Sequence, residues 1–120
     1  IGIIFNTDPH YKSGQHWICL FIDLNLNFIF YFDSNGDPIP QRIKILRERI
    51  KNQALKINKT LKFYSNNKME HQKKDGQCGI YVLYVIIELL RENKTPYYFK
   101  KFRVPDELMR NYREIYYNNL

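Results

Sequence analysis

Cysteine is scarce in this chain: Cys19 and Cys78 are the only two in 120 residues. Two cysteines build no disulfide framework, and so few in a domain of this size suit a reducing, intracellular compartment. No C-x-x-C or H-x-x-x-H spacing occurs, so no metal site is expected from the cysteines with His10, His16 and His71. No apolar run reaches the roughly 20 residues that a bilayer span needs, so no membrane partner is expected. Internal repeats and low-complexity linkers are also missing. Acidic residues are the minority, 12 Asp and Glu against 19 Lys and Arg, for a net charge of +7. That imbalance permits nucleic acid or another acidic partner without requiring one.

What is present is a chain 44% hydrophobic and 16% aromatic, enough for one core in one domain over residues 1–120. It opens at Ile1 without a Met, directly in a strand-like run, and reads as a piece cut from a longer protein. Absent targeting signals therefore carry no weight. The wealth of Asn, Lys, Ile and Tyr fits A/T-rich codons and says nothing about chemistry.

Residues 1–5 read as a strand, and Asn6 to Gln15 as a turn-rich polar loop. His16 to Asp23 (HWICLFID) is dense in aromatic and β-branched residues, the pattern of a strand buried on both faces. Phe28 to Phe32 follows after a short turn, so the two form an antiparallel hairpin. Gln41 to Asn58 reads as an amphipathic helix with Ile43, Leu46, Ile50, Ala54 and Ile57 as its apolar stripe and a basic outer face. Leu61 to Ser65 reads as a short strand. A polar loop leads to Cys78, where an almost wholly apolar helix runs to Glu92. Thr95-Pro96 breaks the pattern. A last helix starts at Pro105, with Leu108, Met109, Tyr112, Ile115 and Tyr116 facing inward. The order predicts an α+β domain.

Cys78 falls at the start of the apolar helix, between Gly76-Gln77 and Gly79, which leave room around the sulfur. Backbone N–H groups and the positive end of the helix dipole favour thiolate there. A nucleophilic thiolate needs a base, and the base an orienting group. His16 opens the buried strand, where a rim imidazole can project into a cleft. Asp33 ends the partner strand, and hairpin geometry brings the two together. Asp33 is equally suited to start the Asp33-Ser34-Asn35-Gly36 turn, and both roles can hold at once. Gln72, six residues before Cys78, offers an amide N–H to an oxyanion beside the Cys78 backbone N–H. His10 reads as solvated, and His71 as too close to Cys78 along the chain to be an obvious partner. Cys19 reads as core.

The ordered set resembles a known family: His16-Trp17, then Asp33-Ser34 seventeen residues after the His, then Gln72, Cys78-Gly79 and an apolar helix. It is similar to the ubiquitin-like-protein proteases, namely the SUMO proteases, the adenovirus proteinase and the polyprotein-processing proteases of large DNA viruses. The likeness runs from about Ile3 to Leu90. It implies a papain-like cysteine proteinase fold, a mixed sheet packed on a central helix bearing the catalytic Cys. It implies Cys78 as nucleophile, His16 as base and then acid, Asp33 as orienter, and Gln72 as oxyanion donor. Trp17 and Gly79 then border a narrow channel for substrate Gly. The implied function is a cysteine endopeptidase cleaving after Gly-Gly or Gly-Ala type sites, with no metal or organic cofactor, acting as a monomer in a host cytoplasm or virion. SUMO proteases usually carry Asp where Gln77 stands, which favours viral polyprotein processing over a deubiquitinating or deSUMOylating isopeptidase. A non-catalytic module binding ubiquitin-like tails is the rival from another class. Family domains also extend further N-terminally, and that part contributes to the cleft. The basic helix face with Lys100, Lys101 and Arg103 is a candidate surface for nucleic acid, as in the adenovirus relative, against the plainer reading of a solvated helix face.

Overall fold

The structure is a computed structural model, which describes residues 1–7, 16–73 and 77–118. Its strands are β1 (Gly2–Thr7), β2 (His16–Asp23), β3 (Phe28–Phe32) and β4 (Lys62–Ser65); its helices are α1 (Gln41–Leu55), α2 (Cys78–Leu90), α3 (Pro96–Lys101) and α4 (Asp106–Asn118). The strands form one sheet in the order β1-β2-β3-β4. The β1–β2 and β2–β3 pairs are antiparallel and the β3–β4 pair is parallel, so the sheet is mixed. A parallel neighbour needs a crossover, and α1 supplies it.

Helices cover both faces, which is why β2 and β3 read as continuous apolar runs rather than alternating ones. Strand alternation sends Cys19, Phe21, Phe28, Phe30 and Phe32 to one face, against Tyr81, Val85, Phe99 and Met109 of the later helices. Ile18, Leu20, Ile22, Ile29 and Tyr31 point to the other, against Ile43 and Ala54 of α1. No helix among the described residues is long and apolar enough to cross a membrane.

Three elements depart from the expectation. The first helix ends at Leu55 rather than Asn58, because Asn58 takes a left-handed φ of 61° and terminates it. Ile57 therefore leaves the apolar stripe and is exposed. The central helix likewise stops at Leu90, and Glu92 at φ 59° turns the chain away. Pro96 does end the preceding pattern, but it also occupies the first position of α3, where its fixed φ and missing N–H suit a helix start. On α4, Met109 is fully buried and Leu108, Tyr112 and Tyr116 pack partly against the core, while Ile115 stays half-exposed.

The turn after β3 rests on the loop that follows β4. Gly36 has φ +76°, and its carbonyl accepts the Lys68 N–H at 2.8 Å. A Cβ on Gly36 would lie 2.9 Å from the Met69 carbonyl carbon and oxygen, which are backbone and cannot swing away. Gly36→Ala is expected to cost about 2 kcal/mol through the left-handed φ and this clash. The check is the urea-unfolding midpoint at unchanged slope; a variant as stable as the parent would show that the two loops separate freely.

Candidate active site

His16 and Asp33 lie at the same end of the β2–β3 hairpin and, by strand alternation, on the same face. The His16 Nε2 is 2.8 Å from Asp33 Oδ1. The same Asp33 oxygen accepts the Asn35 N–H at 2.8 Å, while the Asp33 carbonyl accepts the Gly36 N–H. One carboxylate thus both starts the turn and faces the imidazole, and it is almost fully buried.

Cys78 reaches this place from the first turn of α2. Gln77, the residue before the helix, holds φ −110°, and its carbonyl accepts the Tyr81 N–H at 3.0 Å to begin the helical ladder. The Trp17 backbone N–H points at the Cys78 sulfur at 3.5 Å, and His16 also bonds the sulfur. Burial alone favours neutral forms of both partners. For His16 it is outweighed by the hydrogen bonds to Asp33 and Cys78 and by their charge, which raise the imidazole pKa to about 9. For Cys78 it is outweighed by the bond to His16 and the N–H groups of Trp17 and Gly79, which hold the thiol below its ordinary value. The geometry therefore favours a thiolate–imidazolium pair over two neutral groups. Because the two sites interact, their titration belongs to the pair.

Gln72 sits in an irregular stretch between β4 and α2. Its backbone N–H donates to the Ser34 carbonyl at 2.8 Å, and its side-chain Oε1 accepts the Ser34 hydroxyl at 2.7 Å. With Oε1 on Ser34, the amide presents its nitrogen as the donor end. Gly79 lies beside Trp17: a Cβ on Gly79 would meet the indole Cδ1 at 3.6 Å, an ordinary contact. The room expected around the sulfur is thus bounded by the indole, and Gly79 contributes its N–H rather than empty space. Gln77 Oε1 accepts Arg113 Nη2 at 3.3 Å, tying the start of α2 to α4.

Sequence reasoning missed Asn66. It is fully buried, its Oδ1 accepts the Asp33 N–H at 2.9 Å, and its Nδ2 donates to the carbonyls of Asp33 at 2.6 Å and Met69 at 3.1 Å. Leaving such buried backbone groups unpaired costs about 1–3 kcal/mol each. The one available signal was an Asn directly after a short strand, too common to single out. His71 is no partner of Cys78. It is fully buried, with Nδ1 accepting the Val104 N–H and Nε2 donating to the Phe99 carbonyl, each at 2.8 Å. Burial is the main cause that lowers its pKa and keeps it neutral. Cys19 is fully buried in the core, and burial pushes its thiol up. His10 and Gly76 lie outside the described residues. Among the described residues, no three His, Cys, Asp or Glu side chains gather as a metal set.

Residues 1–119 match the description "Ulp1 protease family, C-terminal catalytic domain". The chain belongs to this protease family. It is 34% identical over 114 residues to the SUMO-1 cysteine protease S273R of African swine fever virus (isolate Pig/Kenya/KEN-50/1950), covering 93% of this chain and 41% of that protein. The chain thus spans well under half of this relative's length. The crystal structure of ASFV pS273R protease superposes with a TM-score of 0.83 at 34% identity, covering 93% of this chain and 40% of that one. ChlaDub1 from Chlamydia trachomatis gives a TM-score of 0.70 at 14% identity, covering 95% of this chain and 59% of that one, and shares the fold. The Ulp1-family fold is therefore the α+β cysteine proteinase type, its mixed sheet packed on the helix that begins with Cys78.

The ion pair makes a prediction about the thiol alone. Iodoacetamide should alkylate Cys78 readily at pH 7, because the depressed thiol pKa leaves thiolate present there. His16→Ala removes the partner, raises the thiol pKa and should slow alkylation at pH 7 about tenfold. Equal rates for parent and variant, measured by mass spectrometry, would show that the imidazole does not support the thiolate.

Proposed function

We propose that this chain is the catalytic part of a viral cysteine endopeptidase that cleaves after Gly-Gly or Gly-Ala sequences and processes a polyprotein. The observation that carries the reading is the meeting of His16, Asp33 and Cys78, from two strands and a helix start. The Cys78 thiolate attacks the substrate carbonyl carbon. The Cys78 backbone N–H and the Gln72 amide receive the oxyanion. The His16 imidazolium gives its proton to the leaving amine as the C–N bond breaks, leaving a thioester. Neutral His16 then takes a proton from water, hydroxide attacks the thioester, and the proton returns to the departing Cys78 sulfur. Asp33 holds the imidazole orientation throughout. The Trp17 indole lies beside Gly79, and an indole wall that leaves no room for side chains is the proposed basis for preferring Gly. The enzyme acts as a monomer without a metal or organic cofactor, in the reducing interior of a host cell or virion.

The rival reading is an isopeptidase acting on ubiquitin-like tails, favoured by the SUMO-1 protease name of the African swine fever virus relative. The full-length protein should cleave Gly-Gly-Xaa peptides, and Cys78→Ala should lower kcat by at least 10³-fold, as loss of a nucleophile does. Cysteine-trapping ubiquitin and SUMO probes separate the readings. Labelling with rapid turnover of SUMO or ubiquitin conjugates would favour the isopeptidase. Neither cleavage nor labelling by a folded protein would leave only a tail-binding module.

A nucleic-acid partner is a second part of the proposal, favoured by lysines set against partly buried aromatic rings. Lys62 and Lys100 approach the Tyr64 ring at 5.4 and 5.3 Å, and Lys94 lies 4.4 Å over Tyr98. No acidic residue occurs between Glu48 and Glu70 or between Glu92 and Asp106. The rings hold the lysine stems in place while the ammonium groups can meet phosphates. Fluorescence anisotropy with oligo-dT should show affinity falling with salt at a log–log slope of about −3, for roughly four phosphate contacts. A slope near zero would count against this surface.

A further inference from the structure

The stretch that carries Gln72 belongs to no helix or strand, so something else must fix it. On one side, Ser34 holds it through the His71 and Gln72 N–H groups and the Gln72 side chain. On the other, the flanking residues are held from the end of the chain. The His71 carbonyl accepts Arg103 Nε at 2.9 Å, and the Tyr81 hydroxyl lies 3.1 Å from it. The Lys73 N–H donates to Asp106 Oδ2 at 3.0 Å. Asp106 Oδ1 lies 3.0 Å from the Tyr81 hydroxyl, which is also 2.7 Å from the Val104 carbonyl. Arg103 Nη2 meets Asp106 Oδ2 at 3.4 Å. Asp106 and Tyr81 are both buried, so the contact between them forms out of water, where it is strong and costly to leave unmade, while the Lys73 and Arg103 bonds are partly buried.

We propose that Asp106, with Tyr81, is a positioning residue that aligns the Gln72 amide for the oxyanion. The carboxylate grips the chain one residue after Gln72, while Arg103 grips it one residue before, and the Tyr81 hydroxyl ties Asp106 into this cluster. Neither group touches the sulfur or the imidazole through any of the bonds named above. The inference rests on the protease reading and assigns the opening of α4 a part in it. Loss of the grip should damage the step that builds negative charge on the substrate oxygen and leave the thiolate pair intact.

That separation is measurable. In the full-length protein, Asp106→Asn keeps the shape and removes the charged acceptor. It should lower kcat for a Gly-Gly-Xaa peptide about 10- to 100-fold, the range expected for a misplaced catalytic group, with KM within twofold. The affinity of a Gly-Gly aldehyde, which forms a tetrahedral adduct, should fall in parallel. The rate of Cys78 alkylation by iodoacetamide, which makes no oxyanion, should stay at the parent value. Tyr81→Phe should shift the same readouts in the same direction and serves if the Asn variant does not fold. Parent-like kcat in a folded variant overturns the inference. So does a parallel fall of kcat and alkylation, which would mean general damage to the site. A full-length parent that cleaves no peptide overturns the protease reading instead, and the inference falls with it.

Discussion

The carbonyl oxygen of Ser34 accepts two backbone N–H groups, from His71 and Gln72, and the geometry of the site depends on that joint. Asp33, one residue earlier, faces His16; Gln72 is on the other side of the joint. Asn66 locks the same turn from beneath by pairing both the N–H and the carbonyl of Asp33. The orienter of the imidazole and the proposed oxyanion donor are thus set by one turn, and a shift of either loop moves both. Gly36 is part of this arrangement, because only a residue without Cβ lets the turn lie against the Met69 backbone.

The sheet supplies rigidity at the point where the chemistry needs it. Two strands buried on both faces fix the backbone at their ends, and His16 and Asp33 sit at those ends. The α2 helix is anchored by the aromatic core and brings its first residue, Cys78, to the same rim. Its opening turn places the Gly79 N–H near the sulfur, β2 adds the Trp17 N–H, and His16 supplies the larger share of what lowers the thiol pKa. Burial opposes both charges, and the pair persists because each partner offsets the other's desolvation.

Much of this was legible in the sequence, for physical reasons. The short connection after Asp23 forces a hairpin, and a hairpin forces His16 towards Asp33. The apolar run from Ile80 marks a buried helix whose start can hold a thiolate. What could not be read depends on tertiary choice. Nothing in Asn66 reveals that β4 will lie parallel to β3 and deliver its amide to Asp33. His71 and Gln72 are adjacent polar residues in one loop, yet one is locked into the core and the other bonds the Ser34 hydroxyl. Ile57 continues a helical period that Asn58 ends by its backbone conformation alone. Pro96 marks a break on one side and a helix start on the other, and a sequence shows the break more plainly.

The parallel β3–β4 crossover also sets an order of events. The β2–β3 hairpin is a local structure, while Asn66 is separated from Asp33 by 33 positions and Cys78 from Trp17 by 61. Contacts of such long reach require the intervening loops to close first, so they form late in folding. A chain still emerging or only partly collapsed therefore carries a thiol of ordinary reactivity and no aligned imidazole. The pairing of Cys78 with His16 therefore depends on the completed fold, and a misfolded copy carries only an ordinary thiol.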